Sequence, residues 1–395
     1  MTADLRRIYL DNAATSFPKP ESVYAAMDDY NRRNGAAIGR GAYRAAIDAT
    51  AIVQRCRRKI ADLLGAEGPE RILFTFNGTD SLNLALHGVL QAGDHVITSV
   101  VDHNSVLRPL SELRRKLGVE VTHVGANPAG KVDPLDFKRA LRPNTKLIAL
   151  IHASNVTGTI QPIAAVGQIA REAGVLFLVD AAQTAGHLPI DLRNLPVDIL
   201  AAPGHKGLLG PLGTGVLYVR PGIEQRLASF RQGGTGTRSE DDMQPESLPD
   251  KYESGNHNAP GLAGLEAAVS WLLARGVNSV HAHSQGLVRQ LLEGLSGMPR
   301  VRLFGPASEQ APASEQDRVA VVSVGIEDSS PQEVAAILDQ SFGVETRAGL
   351  HCAPGAHRAI GSFDSGGTVR FSIGPFTTSD DVAAVIEALR QIAEN

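Results

Sequence analysis

Val175-Leu-Phe-Leu-Val-Asp180-Ala-Ala-Gln183 is the stretch on which the fold turns. Residues 176–179 are apolar at both alternating positions, the pattern of a strand covered on both faces of a sheet. An acid then closes the strand. Working outward, candidate strands lie at 147–151 before it and 197–201 after it, with Gly215–Val219 beyond. Further strands are expected at 71–75, His95–Ser99 and 119–124, separated by helix-length segments at 81–90, 107–117, 134–141 and 163–173. Strands spaced by crossover helices mean βαβ units and a mostly parallel sheet. A longer helix is expected from Arg44 to Leu64, with Val53, Cys56, Ile60, Leu63 and Leu64 on its apolar stripe, which makes Cys56 a core thiol. The acid Asp180 therefore stands at the carboxyl edge of a sheet, where open α/β sheets bind ligands; a helix cap is the plainer alternative.

After Phe230 the texture changes: residues 231–260 are rich in Gly, Asp, Ser, Pro and Asn and read as one long loop. A helical region follows at about 262–295. Ala307-Ser-Glu-Gln recurs at Ala313-Ser-Glu-Gln around Pro312, a surface loop. The remainder reads as α+β, with strands near 319–324 and 368–373, a helix at 331–340 and a last helix opening at Ser379. The expected architecture is α/β, a large domain with a mostly parallel sheet at 16–255 and a smaller α+β domain built from 1–15 and 256–395.

The 395 residues are 43% apolar and 20% charged, a globular composition with ample material for a core. The net charge of −4, from 38 basic and 42 acidic residues, gives no basic field for nucleic acid or anionic membrane. No run approaches the ~18 apolar residues of a membrane span, and the first residues lack the apolar stretch of a secretory signal. Two cysteines, Cys56 and Cys352, make neither a disulfide framework nor a four-cysteine zinc site. A cytoplasmic protein is expected. Walker A, G-x-G-x-x-G, G-x-S-x-G and H-E-x-x-H patterns are all missing from the sequence.

Four short segments carry chemistry. Asn77-Gly78-Thr79-Asp80-Ser81 follows a strand and opens a helix, so it offers free N–H groups and hydroxyls to an anion; Thr79 or Ser81 as a plain helix cap is the alternative. Asp180 can pair with a cationic ring nitrogen. Pro203-Gly204-His205-Lys206-Gly207 places a lysine at the same sheet edge, where desolvation suits it to Schiff-base chemistry, though an exposed turn lysine is commoner. Phosphate turn, acid and lysine together match what pyridoxal phosphate needs. Arg347-Ala-Gly-Leu-His351-Cys352-Ala-Pro354 reads as an exposed loop in which a neighbouring imidazolium makes Cys352 a candidate thiolate.

On these segments the sequence resembles the pyridoxal-phosphate-dependent cysteine desulfurases of the class V aminotransferase group, fold type I, from Tyr9-Leu-Asp-Asn-Ala-Ala-Thr15 to the final helix. The resemblance implies pyridoxal 5'-phosphate as cofactor, carried by Lys206, with Asp180 on the ring nitrogen and Gln183 on the ring hydroxyl. It stacks His103 of Val101-Asp102-His103-Asn104 on the ring and gives it a catalytic part. Gly78, Thr79 and His205 become phosphate ligands. Asn155 of Ser154-Asn155-Val156-Thr157-Gly158 and Arg370 of Thr368-Val369-Arg370-Phe371-Ser372 match the groups that hold the substrate carboxylate. Cys352 matches the sulfur-accepting cysteine. Its short loop resembles the SufS-like, selenocysteine-lyase-like branch.

The implied reaction takes L-cysteine, or L-selenocysteine, to alanine and leaves sulfur on Cys352 as a persulfide for a protein acceptor, as in sulfur metabolism and iron–sulfur cluster assembly. A homodimer is implied as well, in which Asn256 and the Gln232-Gly-Gly-Thr-Gly236 stretch lie near the neighbour's phosphate. The sequence departs from the family pattern in several places, Ala353-Pro354-Gly355-Ala356-His357 beyond the cysteine among them. Pro203 replaces a frequent phosphate-binding serine, Asn256 stands where a threonine is usual, and Leu350-His351 replaces His-His. Another carbon–sulfur lyase of this fold, a class V transaminase and a non-catalytic sulfur-relay scaffold are the rival readings.

Overall fold

The computed structural model describes residues 6–39, 41–237, 240–306 and 318–394; the Ala307/Ala313 repeat lies outside them. After a two-residue strand β1 (Ile8–Tyr9), seven strands build the large sheet: β2 (Ile72–Thr75), β3 (His95–Ser99), β4 (Glu120–Val124), β5 (Thr145–Ile151), β6 (Leu176–Asp180), β7 (Ile199–Pro203) and β8 (Gly215–Val219). Their order across the sheet is β2-β8-β7-β6-β5-β3-β4. Strand β8 runs antiparallel to both of its neighbours, and the other pairs are parallel. The mostly parallel α/β sheet expected from the sequence is present. β6 is the central strand, and all five of its residues are buried.

This topology creates the site. Because β2, β3, β5, β6 and β7 point the same way, the segments that leave their carboxyl ends emerge on one edge. Those segments hold Gly78–Thr79, His103, Asn155, Asp180 and Lys206.

A second sheet, ordered β12-β13-β10-β9, is formed by β9 (Val301–Phe304), β10 (Val321–Ile326), β12 (Arg347–Gly349) and β13 (Thr368–Ser372). The two-residue β11 (Val344–Glu345) pairs in parallel with β1, so the start of the described chain joins the C-terminal third. Leu287 and Leu291 from Val277–Leu295, Leu338 from Pro331–Phe342 and Leu389 from Ser379–Glu394 pack with Val324 and Phe371 into a core of their own. The helix Arg44–Leu64 is present, with Cys56 fully buried; burial pushes its thiol pKa far up, which makes it unreactive.

Some boundaries moved for local reasons. The segment expected at 81–90 is a helix over Gly78–Val89, because Asn77, rather than Thr79 or Ser81, caps it through the Asp80 N–H. The segment expected at 107–117 starts at Asn104, because His103 caps it. The helical region at 262–295 is two helices, Ala259–Arg275 and Val277–Leu295, broken at Gly276 with φ +81°. The expected exposed loop at 347–354 is corrected: Arg347–Gly349 is strand β12, Pro354 opens a short helix to Ala359, and His351 and Ala353 are buried, leaving Cys352 exposed between them.

Candidate active site

One cavity at the carboxyl edge gathers Gly78, Thr79, His103, Asn155, Asp180, Gln183, His205 and Lys206. It encloses about 470 Å³, its open mouth included, a size that suits a small ligand. The eight residues come from five different strand ends, and parallel topology alone brings them together.

Asp180 is 3% exposed and spends one oxygen locally, accepting from the Ala182 N–H at 2.9 Å. Burial raises its pKa; that backbone bond and the Lys206 charge oppose the rise. Lys206 is lowered to about 8, first by burial, with Arg370 and Arg347 adding to the effect against the pull of Asp180. A lysine in that range holds a substantial neutral fraction near neutrality and can act as nucleophile or base. Its peptide is clamped: the His205 carbonyl accepts from the Ser16 N–H at 2.9 Å, Ser16 Oγ at 3.1 Å and Thr15 Oγ1 at 3.2 Å.

His103 is lowered to about 4 by burial and by the charges of Lys206, Arg347 and Arg370. Its Nδ1 accepts from the Ser105 N–H at 3.0 Å, so the neutral ring carries its proton on Nε2. Ser105 Oγ lies 2.9 Å from that Nδ1 and 2.8 Å from Thr79 Oγ1, which ties the ring to the start of the Gly78–Val89 helix. Gly78 is tightly seated: a Cβ there would sit 3.0 Å from Pro203 Cδ. Gln183 Nε2 donates to the Ala13 carbonyl at 3.0 Å.

Arg370 is 1% exposed. Its Nη2 meets Asp11 Oδ1 at 2.5 Å, its Nη1 donates to the Asn155 carbonyl at 3.0 Å, and its Nε has no protein partner. Asn155 Nδ2 donates to the His351 carbonyl at 2.7 Å while its Oδ1 is unpartnered. One of the two Asn155 amide hydrogens thus ties down the cysteine turn, and the other is left for a ligand in the cavity that Asn155 lines.

The Cys352 carbonyl accepts from the Asn104 N–H at 2.9 Å, which seats the turn on the first residue of the His103-capped helix. The imidazolium expected beside the thiol is not there. His351 is 2% exposed, faces His357 and the Arg347 carbonyl, and is pushed down to about 2 by burial and by Arg370, so it stays neutral. The cation near the sulfur is Arg347, whose Nη2 is 3.5 Å from Sγ. Asn256 is not brought to the cavity; it lines a separate cleft with Arg231 and His257. Ser105, Asp11 and Arg347 are site residues that motif reading passed over. Asp11 and Arg347 sit within quoted motifs and Ser105 directly follows one, and only geometry shows what each touches.

Residues 8–385 match the Aminotransferase class-V family, and the chain belongs to that family. It is 35% identical to a probable cysteine desulfurase of Methanothermobacter thermautotrophicus, covering 99% of this chain and 98% of that one. The apo structure of a cysteine desulfurase from Thermococcus onnurineus superposes with a TM-score of 0.89 at 32% identity, covering 98% of this chain and 95% of that one. The S-sulfonic acid form of the cysteine desulfurase CsdA from Escherichia coli gives 0.85 at 28% identity over the same shares.

The family depends on pyridoxal 5'-phosphate, and the cavity fits that group. A buried carboxylate with one protein hydrogen bond suits a protonated ring nitrogen, and a desolvated lysine suits an aldehyde carbon. The helix start at Gly78–Thr79 suits a phosphate, as does His205, whose buried Nδ1 has no protein partner.

Proposed function

We propose that this site converts L-cysteine to L-alanine and passes the sulfur to Cys352 as a persulfide. The observation that carries the reading is the seating of one exposed thiol beside an arginine, on the helix capped by the cavity's own histidine. Asp180, Lys206, Gln183, Gly78, Thr79 and His205 would hold pyridoxal 5'-phosphate, which when bound withdraws electrons from the substrate's Cα and so weakens its bond to hydrogen.

The remaining steps belong to this chain's residues. Arg370 takes the substrate carboxylate, because its Nε is unpartnered while Asp11 and the Asn155 carbonyl fix its plane. Lys206, with its depressed pKa, moves the Cα proton. His103, held neutral with hydrogen on Nε2, covers the cavity and orients its contents. The Cys352 thiolate attacks the substrate sulfur, forming an S–S bond as the Cβ–S bond breaks; Cβ gains a proton. L-cysteine plus thiol gives L-alanine plus persulfide, and no outside oxidant or reductant enters.

We further assign the persulfide to a protein acceptor of sulfur metabolism, iron–sulfur cluster assembly included, in the cytoplasm. Among the described residues no helix is long and apolar enough to cross a membrane. Placing Asn256 in a separate cleft supports a homodimer in which it reaches the neighbour's phosphate. The separate core around β10 and β13, which takes in Ile8 and Leu10, supports a small domain beside a large one; the expected bounds, 1–15 with 256–395 beside 16–255, need one correction, because the Ala259–Arg275 helix packs through Leu262, Leu265 and Leu272 into the core of the large sheet. The test is alanine release from L-cysteine with reductant, in wild type and Cys352→Ala, with L-selenocysteine as second substrate. Loss with Cys352→Ala supports the persulfide route. Wild type inactive on both amino acids overturns the desulfurase reading in favour of another carbon–sulfur or amino-group reaction.

A further inference from the structure

We propose that Ser362, His357 and His351 form a one-way hydrogen-bond chain that positions Cys352 for sulfur transfer, with His357 as its central positioning residue. This rests on the persulfide role of Cys352 proposed above.

The direction of the chain follows from its far end. His351 Nε2 lies 3.1 Å from the Arg347 carbonyl, which can only accept, so Nε2 carries the proton and Nδ1 is an acceptor. Opposite that Nδ1, at 3.3 Å, stands His357 Nε2, which must therefore donate. His357 Nδ1 is left as an acceptor, and Ser362 Oγ donates to it at 2.7 Å. One carbonyl thus fixes two tautomers and one hydroxyl rotor, and all four ring nitrogens are satisfied in a buried setting where an unmet polar group is costly. Ser362 is itself held, its N–H donating to the His357 carbonyl and its carbonyl accepting from the Gly367 N–H, both at 2.9 Å.

The chain ends where the backbone most needs holding. His351 and Cys352 take φ of +48° and +58°, two consecutive left-handed residues without a glycine. Side chains rarely adopt that conformation, and it persists only when the surroundings over-determine it. Asn155 grips the His351 carbonyl and Asn104 the Cys352 carbonyl. The His351 side chain is the third anchor, held at Nε2 by the Arg347 carbonyl and at Nδ1 by His357. Without it the turn can relax to ordinary φ values, and Sγ loses the orientation that its carbonyl seat on Asn104 and its contact with Arg347 define. Protonating His351 on Nδ1 would set its N–H against that of His357 Nε2, and Arg370 and Arg347 already disfavour an imidazolium there.

The test uses the holoenzyme and has two readouts. In His357→Ala, amide hydrogen exchange over residues 347–362 should quicken, while the segment 176–206 is unchanged. The kcat for alanine release from L-cysteine should fall by at least ~10-fold, since small misplacements of a reacting group cost heavily, with KM and cofactor content as in wild type. His357→Gln keeps an N–H that can reach His351 Nδ1 and should restore most of the loss; Ser362→Ala, cutting the far end, should act in the same direction. The proposal is overturned if His357→Ala keeps kcat within about twofold of wild type, well short of what a misplaced reacting group costs. It is equally overturned if kcat, KM and cofactor content collapse together with no rescue by glutamine. Failure of the desulfurase reading would look different: wild type itself would release no alanine, and unchanged exchange in His357→Ala would still overturn the positioning chain.

Discussion

Gly355→Ala should displace the cysteine turn without touching a chemical group. Gly355 lies three residues after Cys352, in the first turn of the Pro354–Ala359 helix, and a Cβ there would stand 2.2 Å from the Val100 carbonyl oxygen. Ordinary contacts of this kind begin at 3.4 Å, so the helix start must retreat by about 1.2 Å from the segment that leads to His103. The obstacle is backbone, and no rotamer change relieves it. Overpacking of this size costs about 1–3 kcal/mol of stability. Carried along the short turn to Sγ, a shift near 1 Å should lower kcat on the order of 10²-fold. Alanine formation is the assay, with cofactor absorbance checking that the cavity is intact. Gly286→Ala is the control, because its Cβ meets nothing within 4 Å and it lies inside a helix. The reasoning is refuted if Gly355→Ala keeps kcat within about threefold of wild type, far short of what a 1 Å misplacement costs.

Three further expectations follow from the same geometry. Asp180→Asn removes the carboxylate assigned to the ring nitrogen; alanine release should fall at least ~100-fold, as when a preorganised electrostatic partner is lost, while absorbance still reports bound cofactor. Glu253→Gln breaks a buried bidentate pair with Arg57, at 2.7 and 2.8 Å, that also accepts from the Phe74 N–H, and should cost about 3–5 kcal/mol in urea unfolding. The Glu253 carboxylate is held down at about 2, so wild type has its full benefit above the unfolded value near pH 4.5 and loses it as pH falls towards 2. The gap between wild type and Glu253→Gln should close over that window, and a pH-independent gap would contradict the assignment. Lys206→Ala should abolish alanine release in a chain that remains folded by circular dichroism.

Much of this was legible in the sequence because it was local. The doubly apolar run ending at Asp180 marked the central strand, and crossover-length helices on either side forced a parallel sheet. Once strands run parallel, strand-end motifs share one edge, and so Gly78, Asp180 and Lys206 could be grouped from the sequence, whereas His103 and Asn155 joined them only through the family resemblance. Legibility failed where a contact joins distant residues. Nothing near Asn155 says that its amide will bind the carbonyl of His351, 196 positions away. The reading of His351 as a cation beside Cys352 failed for a related reason: adjacency in sequence says nothing about direction, and at positive φ the two side chains part, one into the core and one outward. β1, β11 and β12 are two or three residues each, too short for any periodicity to register.

The most direct test of the central claim is the mass of the protein after one turnover with L-cysteine and no reductant. Intact mass and peptide mapping should show one added sulfur on Cys352, none on the buried Cys56, and an equal amount of alanine. Alanine formed with Cys352 unmodified, or formed undiminished by Cys352→Ala, would contradict it.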